Sequence, residues 1–222
     1  MAFSVIYEDN HLIIVNKASG ILVQADYTGD PPLSDLVKEY LKQKYDKQGN
    51  VYCGVVHRLD RPVSGVVILA KTSKALERLN KMFQEHQIQK TYWAVVRDMP
   101  KNPEGKLVHW LIKNEERNVV KAFDYEVKAG KRSELDYRFL RKVGRFYLLE
   151  IKPLTGRPHQ IRVQLASMDC PIIGDLRYGS PFPNPDASIC LHAKKVEFVH
   201  PVQKVDLIFE ANLPKEPTWD LC

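Results

Sequence analysis

Apolar residues along this chain recur with two periods. Near the start, Val5, Tyr7 and then Leu12 to Val15 are strand-favouring, with Asn10 between them as a turn, so two strands are expected. A loop around Tyr27 to Pro32 ends in two prolines, after which Leu33, Leu36, Val37, Tyr40 and Leu41 fall at helical spacing. The run Gly65 to Ala70 (GVVILA) is short, unbroken and β-branched, as a strand covered on both faces should be. Ser73 is placed to cap a helix whose Leu76, Leu79 and Phe83 share a face. Strand character returns at Thr91 to Val96, and several strands are expected from Leu107 to Lys152. In the clearest, Leu135, Tyr137 and Phe139 alternate with polar residues, and Gly144 turns the chain into Phe146 to Ile151. After Gly156 and Pro158, Ile161, Leu165 and Met168 predict a short helix. Gly179 to Asp186 holds three prolines and predicts loop. Two strands, near Leu191 to Phe198 and Val205 to Phe209, close the chain. Strands outnumber helices without regular alternation, which argues for an α+β fold over a doubly wound parallel sheet.

Composition narrows the class. The 222 residues are 44% apolar and 27% charged, the make-up of an ordinary soluble globular protein, and no apolar run is long enough for a membrane helix. The opening MAFSVIYEDNH lacks a basic stretch followed by an apolar one, so no secretory signal is expected and the cytoplasm is the expected compartment. Lys and Arg total 33 against 27 acidic residues, a net charge of +6 that suits a polyanionic partner without requiring one. Arg138, Arg141, Lys142 and Arg145 crowd one stretch; a solvated turn explains them as well as phosphate contact does. Cys53, Cys170, Cys190 and Cys222 are too scattered for a zinc or redox motif and read as free thiols of a reducing compartment.

Two segments concentrate reactive side chains. In HRLDRPVSG (His57 to Gly65), Asp60 lies between Arg58 and Arg61 in a Pro- and Gly-punctuated loop just before the buried strand. Flanking positive charge favours an ionised carboxylate, as a nucleophile or electrostatic stabiliser needs; an ion pair that only shapes a turn has the same spacing. LTGRPHQIR (Leu154 to Arg162) gathers Arg157, His159, Gln160 and Arg162 at an expected helix start, where backbone N–H groups suit anions. A capped helix with a hydrated basic face accounts for it equally. A third segment, Lys90 to Ala94, puts Lys90, Tyr92 and Ala94 on one strand face, opposite Thr91 and Trp93.

Together these segments resemble the RluA-like family of RNA pseudouridine synthases. HRLDRPVSGVVILAKT is similar to that family's catalytic motif, with Asp60 at the position of its invariant aspartate. KTYWAVV resembles the strand of the active-site tyrosine, here Tyr92. LTGRPHQIRVQLAS resembles the motif whose second arginine, here Arg162, pairs with the aspartate. Weaker agreement runs from LIIVNKASG through PIIGDLRYG to LHAKKVEFVHP, so the resemblance spans nearly the whole chain. Departures are Ala18 in place of a usual proline, Pro62 and Val63 in place of an acidic residue and threonine, and Gln164 in place of a frequent histidine.

The resemblance implies a mixed, mainly antiparallel sheet flanked by helices, with a central catalytic cleft. It implies isomerisation of uridine in ribosomal or transfer RNA without cofactor or metal. Asp60, Tyr92 and Arg162 would serve catalysis, and His57, Arg58, Arg157 and Gln160 would contact substrate. A base buried in stacked RNA cannot reach such a site, so flipping is expected, with Arg58 filling the vacated space or holding a phosphate. No room before Asn16 exists for a separate small RNA-binding domain, so one catalytic domain over 1–222 is the expectation; the sequence leaves the oligomeric state open, with a monomer slightly favoured. Two rivals remain: a non-catalytic RNA-binding protein that keeps the fold, and a metal-dependent hydrolase using Asp60 with His57, His159 or His192. Hard-metal catalysis gathers several carboxylates, which these motifs do not supply.

Overall fold

The computed structural model describes residues 2–222. The chain forms two compact units: one holds the residues up to Gln89 with Ala193–Leu213, the other Lys90–His192 with Pro214–Cys222.

In the first unit, β1 (Phe3–Glu8), β2 (Leu12–Lys17), β4 (Ser64–Ala70) and β10 (Leu191–Val199, from Ala193 onward) lie side by side in that order. The two-residue β3 (Gly54–Val55) pairs with β4, and β11 (Asp206–Glu210) pairs with β10. β2 runs antiparallel to β4, Leu12 opposite Ala70 and Lys17 opposite Gly65. Every residue of β4 is buried, as its unbroken apolar run predicts. Leu12, Ile14, Val66 and Ile68 pack with Ala75 and Leu79 of helix α2 (Ser73–Gln84) and with Val196 and Phe198. Helix α1 (Leu33–Lys44) buries Leu33, Val37 and Leu41, the spacing read from the sequence. One detail differs. Thr72, not Ser73, caps α2: Thr72 is extended and its hydroxyl accepts from the Ala75 N–H at 3.1 Å, whereas Ser73 is already helical.

The second unit is an antiparallel meander in the order β5 (Gln89–Val96), β9 (Phe146–Pro153), β8 (Lys131–Val143), β6 (Glu104–Asn114), β7 (Val119–Phe123). Gly144, at φ 58°, makes the tight turn from β8 to β9 as expected. Helix α3 (Gln160–Ser167) sets Val163 against Leu111, Val120 and Tyr178. Its residues from Gln160 to Leu165 are all buried, so the hydrated basic face is not what this segment forms. A single 3-10 turn (Leu176–Tyr178) and the four-residue α4 (Pro217–Asp220) were too short to show as periodicity. The four cysteines are free thiols, and no helix among the described residues is long and apolar enough to cross a membrane. Sheets of antiparallel strands with few helices bear out the α+β reading.

Two positions in the first unit have no slack. Gly65 opens the buried strand at φ 116°, and a Cβ there would meet the Ala193 carbonyl oxygen at 2.3 Å and its nitrogen at 2.6 Å. Opposite it, Lys17 is completely buried, its ammonium donating to the carbonyls of Ala18 (2.9 Å), Ile21 (2.8 Å) and, more weakly, Arg61 (3.4 Å). Burial pushes this lysine down to about 7, against the opposing attraction of Asp60.

Gly65→Ala should lose at least ~3 kcal/mol in urea denaturation, because backbone lies on the side of the new methyl group; a loss within that of an ordinary surface substitution would show that the strands can part there. For Lys17, the unfolded chain holds its proton up to about 10.4 while the folded chain releases it near 7. Between those values the unfolded state binds more protons, so this lysine makes stability rise with pH. Denaturation midpoints of the wild type should therefore climb from pH 7 to 9 relative to Lys17→Met. Parallel curves would mean that the lysine does not titrate there.

Candidate active site

The loop between β3 and β4 carries His57, Arg58 and Asp60. Leu59 and Val63 are buried on either side of the carboxylate, and the Val63 N–H donates to the Asp60 carbonyl at 3.0 Å, closing a turn. Two apolar anchors and one turn bond thus hold half-buried Asp60 at the crest of a pinned loop. Lys17 ties that loop from below through the Arg61 carbonyl, and it also ties the strand-leaving segment 18–21. The Gly20 N–H donates to the same Arg61 carbonyl at 2.8 Å, and Arg61 Nε returns a bond to the Gly20 carbonyl at 3.0 Å.

The cations around Asp60 are arranged differently from the sequence picture of one carboxylate between two arginines. Arg61 gives its guanidinium to Asp30, 2.7 Å away on the neighbouring loop. Arg58 is exposed. Lys17, which spacing did not single out, is a buried cation that attracts Asp60. A signal existed: a lysine directly after four apolar strand residues and one asparagine is positioned where the strand is still covered.

His57 is used by the fold. Its Nε2 accepts the Ile68 N–H at 3.0 Å, continuing along β4 where the short β3 has ended, and its ring stacks on Phe83 at 4.9 Å. The sequence pointed to His57 as a substrate contact; in the fold its Nε2 serves a strand-edge bond, since a central strand cannot leave an N–H unpaired.

In the second unit, Tyr92 lies on β5 opposite Ile151, two positions from Ala94 opposite buried Leu149, so the alternation read from the sequence holds. Lys90, on the same face, is pushed below the usual lysine range by burial. Gln160 spends both ends of its amide internally: its oxygen accepts from Thr155 Oγ1 (2.8 Å) and the Arg157 N–H (3.0 Å), and its nitrogen donates to the Glu134 carbonyl (2.9 Å). Gln160 thus secures the turn before α3 to β8, whereas the sequence pointed to substrate. Arg157 is exposed, with Nε 3.4 Å from the Arg132 carbonyl.

Arg162 is buried on α3. Its Nε and Nη2 donate to the two oxygens of buried Asp175 at 2.7 and 2.9 Å, and its guanidinium carbon lies 5.1 Å from the centre of the Tyr178 ring. Neither partner stood out in the sequence, although the acid in PIIGDLRYG is isolated among apolar and glycine residues. The first unit thus offers a half-buried carboxylate on a stitched loop, and the second a strand tyrosine and a buried guanidinium held by Asp175.

Comparison with known proteins shows the family. The family model for RNA pseudouridylate synthase matches residues 11–167. Over 233 residues the chain is 31% identical to the tRNA pseudouridine synthase C of Vibrio parahaemolyticus, covering 97% of this chain and 91% of that one. It is 36% identical to the ribosomal large subunit pseudouridine synthase C of Buchnera aphidicola, over 94% of this chain and 67% of the relative. The solved structure of human RNA pseudouridylate synthase domain containing 4 shares the fold, with a TM-score of 0.80 at 22% identity over 96% of this chain and 89% of that one. With its loop, strand and helix segments matched over almost its full length, the chain belongs to the RluA-like family of RNA pseudouridine synthases, and is an isomerase of that kind.

Proposed function

We propose that this chain converts uridines in structured transfer or ribosomal RNA to pseudouridine, with Asp60 as its essential carboxylate. The observation that carries the reading is the stitched loop: buried Leu59 and Val63 and the Lys17 ammonium all serve to present one carboxylate. Transfer RNA is favoured as the substrate class because the relative named for it matches 91% of its own length.

In this reaction the bond between C1′ and N1 of uridine breaks, the uracil turns, and C1′ bonds to C5. The proton on C5 leaves and N1 gains one, so no water or other group is incorporated. Breaking the glycosidic bond builds positive charge on the sugar, which Asp60 stabilises or captures. Arg162 keeps that carboxylate charged and oriented through guanidinium N–H groups other than those its two bonds to Asp175 use. Tyr92 stacks on the flipped base and assists proton transfer. Arg58 and Arg157, both exposed, hold phosphates or fill the gap left by the flipped nucleotide.

Asp60→Asn should fold normally and lose on the order of 10³-fold or more in tritium release from RNA labelled at uridine C5. Turnover within tenfold of wild type would reject Asp60 as the catalytic group. Arg162→Lys should cost about 10²-fold in the same assay, since an ammonium cannot reproduce the planar fork; an unchanged rate would remove Arg162 from the chemistry. Comparing pseudouridine maps of total RNA with and without the gene identifies the substrate, and a loss confined to ribosomal RNA would overturn the preference for transfer RNA.

A further inference from the structure

Arg162 is held from two sides by residues that neither the family resemblance nor the motif reading assigns a role. We infer that Asp175 and Tyr178 are positioning residues for catalysis, a carboxylate and a ring that together fix the plane of the Arg162 guanidinium. This inference rests on the proposed role of Arg162 and extends it to the groups that aim it.

The local backbone is built to place both. Gly174 takes φ 87°, and a Cβ there would meet the Ser188 carbonyl oxygen at 2.6 Å, so the chain enters Asp175 through a passage only glycine fits. The Asp175 N–H donates to the Ile172 carbonyl at 3.1 Å, while the Asp175 carbonyl accepts from Tyr178 (3.1 Å) and Ser180 (3.0 Å). Ser180 Oγ in turn accepts the Gly174 N–H at 3.1 Å. Asp175 precedes the 3-10 turn and Tyr178 ends it, so one tight turn separates the two side chains. Both then meet Arg162. The Tyr178 hydroxyl is fixed as well, accepting the Val120 N–H at 2.9 Å and lying 2.8 Å from His159 Nδ1.

Stability alone does not explain this. A buried ion pair often contributes no more than apolar residues of equal volume would, because desolvating both charges offsets their attraction. What the pair does supply is orientation: a two-point bond to Nε and Nη2, with the ring stacked near the guanidinium, leaves the head group little freedom of plane.

The test separates aim from folding. Wild type, Asp175→Asn, Tyr178→Leu and Tyr178→Phe are compared in single-turnover tritium release from C5-labelled total transfer and ribosomal RNA of cells lacking the gene. Affinity for the same RNA and melting temperature are measured in parallel. Asp175→Asn should slow the single-turnover rate about 30-fold or more while RNA affinity stays within about threefold. Tyr178→Leu should slow it comparably, and Tyr178→Phe, which keeps the ring, should recover most of that loss despite a lower melting temperature. A rate per folded molecule near wild type in Asp175→Asn and Tyr178→Leu, with only the melting temperature changed, would assign both residues to structure and overturn the inference. If Asp175→Asn does not fold, the Tyr178 pair decides, equal rates in Leu and Phe being the overturning result. A wild-type chain that releases no tritium would overturn the functional proposal itself, an outcome distinct from active wild type with equally active variants.

Discussion

A buried ammonium that donates to backbone carbonyls is the constraint around which the first unit is arranged. Lys17 sits where β2 ends, and taking its charge out of water would be prohibitive without hydrogen-bonded compensation. The compensation is carbonyl oxygens from two separate loops, 18–21 and the one that carries Asp60. Satisfying the amine therefore draws both loops together at one point. Gly65, directly opposite Lys17 in the β2–β4 register, lets Ala193 approach so closely that the strand end has no freedom to shift. The carboxylate is consequently presented by a loop whose ends and middle are all fixed.

The second unit also buries a cation, but meets it with a carboxylate where the first uses backbone carbonyls. Arg162 is buried on a helix whose first six residues are all covered, and its charge is met by Asp175 at 2.7 and 2.9 Å. Surface pairs such as Arg97 with Asp98 contribute little because solvent screens them and both side chains lose freedom. The buried pair differs in kind: its direction is rigid, and breaking it leaves an uncompensated charge. Orientation is the quantity such a pair secures.

Several polar residues in the reactive-looking motifs turn out to serve the backbone. His57 takes over a strand-edge bond that β3 is too short to make, and Gln160 ties a turn to β8 with two bonds inside the turn and one to the strand. A motif this dense in polar groups thus includes side chains whose bonds are spent on the backbone of the fold. Sequence spacing does not mark them, because it records neighbours along the chain and not the orphan N–H or carbonyl elsewhere that a side chain must satisfy.

From sequence alone the element types, the unbroken buried strand at 65–70, the helical faces of α1 and α2 and the reactive loop around Asp60 were legible. Each depends on local periodicity or on turn chemistry, which short stretches of chain carry in themselves. The family resemblance added Tyr92 and Arg162. Tertiary structure decided the rest: that Thr72 is the cap, that α3 is enclosed, that Arg61 turns to Asp30, that backbone carbonyls meet Lys17, and that Asp175 and Tyr178 lie against Arg162. Those outcomes depend on which distant backbone groups or charges need a partner once the chain has closed, and burial makes such needs costly to leave unmet. Periodicity reports which face is covered; only the folded chain shows what covers it.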